Sequence, residues 1–87
     1  VYGLGGLATS RDAVAKIFAL KGRPSSNPLI VHLASTSQLH QCAIIDQTAT
    51  WVRRLDKLLP LWPGPLSILL PKAAHLPSEV TAGGPLV

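Results

Sequence analysis

The strongest constraint on this chain is where regular structure has to stop. Eight prolines and seven glycines punctuate 87 residues. A proline fixes φ and lacks the N–H that a helix interior or a central strand needs, so it marks an element boundary. Pro24, Asn27 and Pro28 make a stiff loop. Pro60 and Pro63 end one apolar segment, and Pro65 and Pro71 bracket another. Only short elements fit between these marks.

The remaining patterns say which elements those are. Val1 to Leu4 reads as the end of a strand running into the glycine loop Gly5-Gly6. Ser10 is placed as a helix N-cap, with Asp12 in the first turn to complement the helix dipole. Val14, Ile17 and Phe18 form one apolar stripe, and Gly22 closes the helix in a left-handed turn, which predicts a helix over about Arg11–Leu20. Leu29 to Leu33 is a short β-branched-rich run, hence a strand. Ser35, Thr36 and Ser37 offer caps for a second short helix, over Gln38 to Ile44. A third helix is expected over Gln47–Leu59, with Trp51, Val52, Leu55, Leu58 and Leu59 on one face and Arg53, Asp56 and Lys57 outward. Pro65 to Pro71 reads as another strand, and residues 75–87 as loop with a short turn at Ser78. Strands alternating with helices predict an α/β sheet.

Composition narrows the classes. Hydrophobic residues are 47% and charged residues 14%, which excludes a disordered tail. So much apolar surface in a short chain implies contact with further polypeptide. Val1 at the start, and Gly83-Gly84-Pro85 close to the end with no polar tail, carry the expectation of a piece of a larger domain. The net charge of +4 favours anionic partners without choosing among nucleotides, nucleic acid and acidic surfaces. The single Cys42 has no internal disulfide partner, so a structural thiol in a cytoplasmic protein is expected. No apolar run approaches the roughly 18 residues that a membrane span requires.

Each motif has a plain structural alternative. Gly3, Gly5 and Ala8 spell a dinucleotide-like glycine pattern. The helix, however, opens too late, and the acidic residue expected about 20 positions on falls near Pro28, so that reading fails. In Lys21-Gly22-Arg23-Pro24-Ser25-Ser26-Asn27-Pro28, two cations flank a helix end. They can grip phosphate, with Asn27 contacting a nucleotide, or merely complement the helix dipole. The residues alone leave both open. His32 shares a strand face with Ile30, opposite Leu33, and either satisfies the core or opens onto a pocket. Trp62-Pro63-Gly64-Pro65-Leu66 is a rigid turn suited to packing. Nothing local gives Ser67 or Lys72 a role, and His40 and His75 read as surface residues. The acidic residues Asp12, Asp46, Asp56 and Glu79 are scattered, so paired-carboxylate chemistry is not expected, and neither a metal site nor a protein nucleophile is visible.

Four blocks in order carry a resemblance. Val1-Tyr2-Gly3-Leu4, Ile17-Phe18 through Lys21-Gly22-Arg23-Pro24, Asn27-Pro28-Leu29-Ile30-Val31-His32, and Trp62-Pro63-Gly64-Pro65-Leu66 with Leu70-Pro71-Lys72 resemble the YrdC/TsaC family of threonylcarbamoyl-AMP synthases. The resemblance implies that residues 1–87 are a partial YrdC-like domain, lacking its N-terminal strand and its C-terminal part. The implied fold is α/β, a twisted open mixed sheet with flanking helices. Members make threonylcarbamoyl-AMP from ATP, L-threonine and bicarbonate, releasing pyrophosphate. Other proteins, the downstream threonylcarbamoyl transferase complex, pass the carbamoylated threonine to tRNA. By resemblance, Lys21 and Arg23 are the catalytic, ATP-binding pair, Asn27 also contacts ATP, Tyr2 and His32 border the threonine pocket, and Mg²⁺ accompanies the nucleotide. The family's later Ser-x-Asn element lies outside this sequence, since Ser25-Ser26-Asn27 matches a different block, so the piece by itself is expected to be inactive.

Three alternatives stay beside this. One is the related carbamoyl-phosphate-using domain of hydrogenase-maturation carbamoyltransferases. Another is a basic RNA-binding module without catalysis, and a third is a structural remnant. Low aromatic content, 5%, argues against a base-stacking platform.

Overall fold

The computed structural model describes residues 3–87. Helix α1 spans Arg11–Lys21 and is capped as its sequence requires. The Ser10 hydroxyl accepts a hydrogen bond from the Ala13 N–H at 3.2 Å. At the other end Gly22 adopts φ 59°, and its N–H returns to the last turn of the helix. Val14 is the one fully buried residue of α1, and Ile17 and Phe18 lie half-buried beside it. A short 3-10 helix follows at Thr36–Gln41. Helix α2 is Val52–Leu58, continued by 3-10 turns at Leu59–Leu61, and a last 3-10 turn is Ser78–Thr81.

The expected α/β sheet is not there. Among the described residues no strand forms, and pairing is confined to two isolated antiparallel bridges, Ala43 with Lys72 and Pro71 with Leu86. The reason lies in what a ladder needs, which is two extended segments side by side. Residues 29–33 and 66–70 alternate between more and less buried positions as extended chain does, but they line one groove together. Among the described residues, the one backbone bond of the first run is from the Leu29 N–H to the Val80 carbonyl, at 2.8 Å. The period of two survives without pairing. Leu29, Val31 and Leu33 turn to the core while Ile30 and His32 are exposed, the face assignment expected for His32. The Val1–Leu4 strand falls partly outside the described residues, and its described part, residues 3–4, is not a strand.

Two of the helices are shorter than their patterns suggested. The third was expected from Gln47, yet residues 47–51 are turns, because the Asp46 carboxylate accepts from the Thr48 N–H at 2.9 Å and hydroxyl at 2.6 Å. Such a local turn competes with helical bonding. The second, expected over 38–44, is a 3-10 turn that gives way at Ala43, where the chain bridges to Lys72.

The core has two centres. Val14, Cys42, Leu76 and Val80 pack under α1, and Leu39, Ala43, Leu55 and Leu70 pack under α2. Leu33 and Val87 touch both. Residues 70–73 tie the halves together. Leu70 exchanges both backbone hydrogen bonds with Val87, at 2.9 and 2.8 Å, and the Ile44 N–H donates to the Pro71 carbonyl at 2.8 Å.

Candidate functional site

The end of α1 builds the basic corner. Lys21 is its last residue, and the left-handed Gly22 turns the chain so that the Arg23 N–H donates to the Phe18 carbonyl at 3.1 Å. Residues 23–28 are all exposed, so hydrogen bonds rather than packing shape this loop. The Asn27 N–H donates to the Pro24 carbonyl at 3.0 Å. The Arg23 side chain folds over the loop, Nη2 donating to the Pro28 carbonyl at 2.8 Å and Nε to the Asn27 carbonyl at 3.5 Å. Among the described residues the only ion pair is Arg11 with Glu79, at 3.4 Å, which leaves Lys21 and Arg23 without a carboxylate partner. Their charge is therefore available to an anionic ligand.

His32 stands elsewhere, on the wall of a groove of about 610 Å³. One side of the groove is residues 29–36 and the other is residues 62–70. Its walls are apolar except for a few side chains, among them His32, Ser35, Thr36 and Ser67, which is the usual make-up of a small-molecule site. Lys21, Arg23 and Asn27 do not line it. The fold thus brings together the ATP-type candidates in one loop and sets His32 a few residues further along, in a separate concavity. Tyr2, the other threonine candidate, lies outside the described residues.

The Trp62 turn does what its composition suggested. Its indole N–H donates to the Leu66 carbonyl at 2.7 Å, the ring packs on the α2 core, and it also lines the groove. Adding a Cβ to Gly64 would bring it to 2.8 Å from the Leu61 carbonyl oxygen, so the turn requires glycine. Local pattern did not reveal the groove's other polar members, Ser35 and Thr36, because they read as helix caps. Cys42 is buried, and burial pushes its thiol pKa up, which keeps it protonated and unreactive. His40 and His75 are exposed as expected. His75, though, meets the Gln41 carbonyl across the chain, and Lys72 donates to the carbonyls of Ala73 and Leu76 at 3.0 and 2.9 Å. Both are fasteners of the loop before the last turn. No helix among the described residues is long and apolar enough to cross a membrane.

Comparison with known proteins gives this arrangement its context. The chain is 44% identical to the threonylcarbamoyl-AMP synthase of Pyrococcus abyssi over 95% of its own length and 23% of that protein. It is 48% identical to the Bacillus subtilis synthase over the same shares, and 36% identical to that of Halorhodospira halophila over 95% of the chain and 41% of the relative. The crystal structure of the Pyrococcus abyssi protein complexed with L-threonine superposes with a TM-score of 0.80 at 44% identity, covering 100% of this chain and 24% of that one. This chain therefore spans between about a quarter and two fifths of the relatives' length. A family model described as telomere recombination, covering the Sua5, YciO and YrdC proteins, matches residues 1–87 in full. The glycine-capped helix end, the Arg23 loop and the His32 groove thus sit in a chain that belongs to the Sua5–YciO–YrdC family.

Proposed function

We propose that the full-length protein is a threonylcarbamoyl-AMP synthase, joining L-threonine, bicarbonate and ATP and releasing pyrophosphate, and that its product serves tRNA modification through a downstream transferase. One observation carries the reading: nearly the whole chain aligns at 44% identity, with a TM-score of 0.80, on a relative crystallised with L-threonine. The free cations at the end of α1 agree with an anionic nucleotide, and the largely apolar groove at His32, with its few polar side chains, agrees with a small amino acid.

In this reading the threonine amine and bicarbonate condense to a carbamate with loss of water, and a carbamate oxygen attacks the α-phosphorus of ATP and expels pyrophosphate. The chain contributes position and charge. Lys21 and Arg23 offset charge growing on the phosphates, Asn27 orients the nucleotide, and His32 and Tyr2 border the threonine. No protein nucleophile enters. Among the described residues no three His, Cys, Asp or Glu side chains come together, so none of them is assigned to Mg²⁺. The ion, held by phosphates and water, would arrive with ATP. The unpaired Cys42 agrees with a cytoplasmic setting.

The test is calorimetric titration of the full-length protein with ATP, with and without L-threonine and bicarbonate, followed by a pyrophosphate-release assay. Threonine-dependent release is expected. Release that ignores threonine but responds to carbamoyl phosphate would move the protein to the carbamoyltransferase relatives.

A further inference from the structure

The loop between α1 and the 29–33 run has an unusual construction. Its residues 23–28 are exposed without exception, so no apolar burial holds its shape. Its two ends are anchored to the body: the Arg23 N–H on the Phe18 carbonyl at 3.1 Å, and the Leu29 N–H on the Val80 carbonyl at 2.8 Å. Between those anchors the only backbone bond among the described residues is Asn27 N–H to the Pro24 carbonyl, at 3.0 Å. Among the described residues the remaining contacts that close the loop both come from one side chain, the Arg23 guanidinium: a short one from Nη2 to the Pro28 carbonyl at 2.8 Å and a long, weaker one from Nε to the Asn27 carbonyl at 3.5 Å. A bond from a guanidinium is charge-assisted and so stronger than its neutral counterpart. Nη1 makes no hydrogen bond among the described residues.

We infer that Arg23 is a positioning residue for this loop: its guanidinium clamps the loop closed before any ligand arrives, which fixes Asn27 and the start of the run that carries His32. This rests on the nucleotide-binding reading for its functional consequence, and it extends that reading from charge to preorganisation. A planar fork can hold two neighbouring carbonyls and still offer a third edge to an anion. An ammonium carries its three N–H donors on one atom and lacks the planar fork, so a lysine here reproduces neither the spacing of the two carbonyl contacts nor the separate edge for an anion.

Arg23→Lys and Arg23→Ala in the full-length protein separate clamp from charge. Hydrogen exchange is followed without ligand at the amides of Asn27 and Leu29, with Val14 and Phe18 in α1 as internal controls, and ATP affinity is measured by calorimetry. The expected result is exchange about tenfold faster at Asn27 and Leu29 in both variants, unchanged exchange in α1, and ATP binding at least tenfold weaker even for Arg23→Lys. Unchanged exchange at Asn27 and Leu29 in both variants overturns the clamp, as does near-wild-type ATP affinity in Arg23→Lys. If Arg23→Ala does not fold, Arg23→Lys still decides. Failure of the nucleotide reading is seen separately, as a wild-type protein that does not bind ATP.

Discussion

Single residues carry several consequences that side-chain chemistry alone dictates. Ala82 sits at φ 53°, a left-handed backbone that a Cβ disfavours, at the end of the last 3-10 turn. Its side chain is exposed, so nothing is lost by removing it. Ala82→Gly should therefore stabilise the fold by about 0.5–1 kcal/mol, read as a higher melting temperature. Asp46 makes stability depend on pH. Its hydrogen bonds from Thr48, side chain first and backbone second, hold its carboxyl pKa below the ordinary aspartate value. A carboxylate with a depressed folded pKa contributes stability above its unfolded pKa of about 3.9, and that contribution is lost as pH falls through the folded value. The difference in stability between wild type and Asp46→Ala should be constant from pH 6 to 8 and shrink below about pH 4. A gap that persisted at pH 3 would mean that the Asp46 charge is not its source. His32→Ala, at the groove wall, should weaken threonine binding while sparing ATP, as calorimetry with each ligand would show. Equal loss for both ligands would point to folding instead.

At the scale of elements, α1 matters because its C-terminal end is the platform for Lys21 and Arg23. The helix was legible residue by residue: Ser10, the Val14–Ile17–Phe18 stripe and Gly22 are all local signals, and each appears in its expected role. Ser10→Ala should cost about 1 kcal/mol by exposing the first-turn N–H groups. Because the clamp lies at the other end, hydrogen exchange at Asn27 should be nearly unaffected. Helix α2 was less legible. The pattern over Gln47–Leu59 has the right period, but Asp46 captures the backbone at Thr48 and postpones the start to Val52. The extended runs teach a related lesson. Alternation of buried and exposed residues at 29–33 could be read from the sequence, since it depends only on extended backbone. Pairing could not, because a ladder needs a second segment at the right distance.

On the scale of the whole molecule the chain is open. Its radius of gyration is 13.7 Å, against about 12 Å for a compact domain of this length. Leu20, Leu69, Ile30 and Leu7 are each more than two-thirds exposed, between 69% and 74%. So much uncovered apolar surface gives a direct expectation: the 87-residue chain in isolation should bind a hydrophobic dye such as ANS strongly. Absence of dye binding would mean that these side chains find cover by rearrangement.

The division between sequence and tertiary structure follows the range of each interaction. The sequence by itself determined the caps of α1, the proline-bounded breaks, the inert buried thiol at Cys42 and the blocks that mark the family. Each depends on neighbours within a turn or two, or on a residue's own chemistry. Only the tertiary structure decided that Ala43 meets Lys72 and Pro71 meets Leu86 as isolated bridges rather than a sheet, that His75 reaches Gln41, and that His32 faces a groove shared with the Trp62 turn. Those contacts join residues between 15 and 34 positions apart. Closing such loops costs entropy, which the shared core at Leu33 and Val87 offsets, and no local pattern encodes which distant partner will be met.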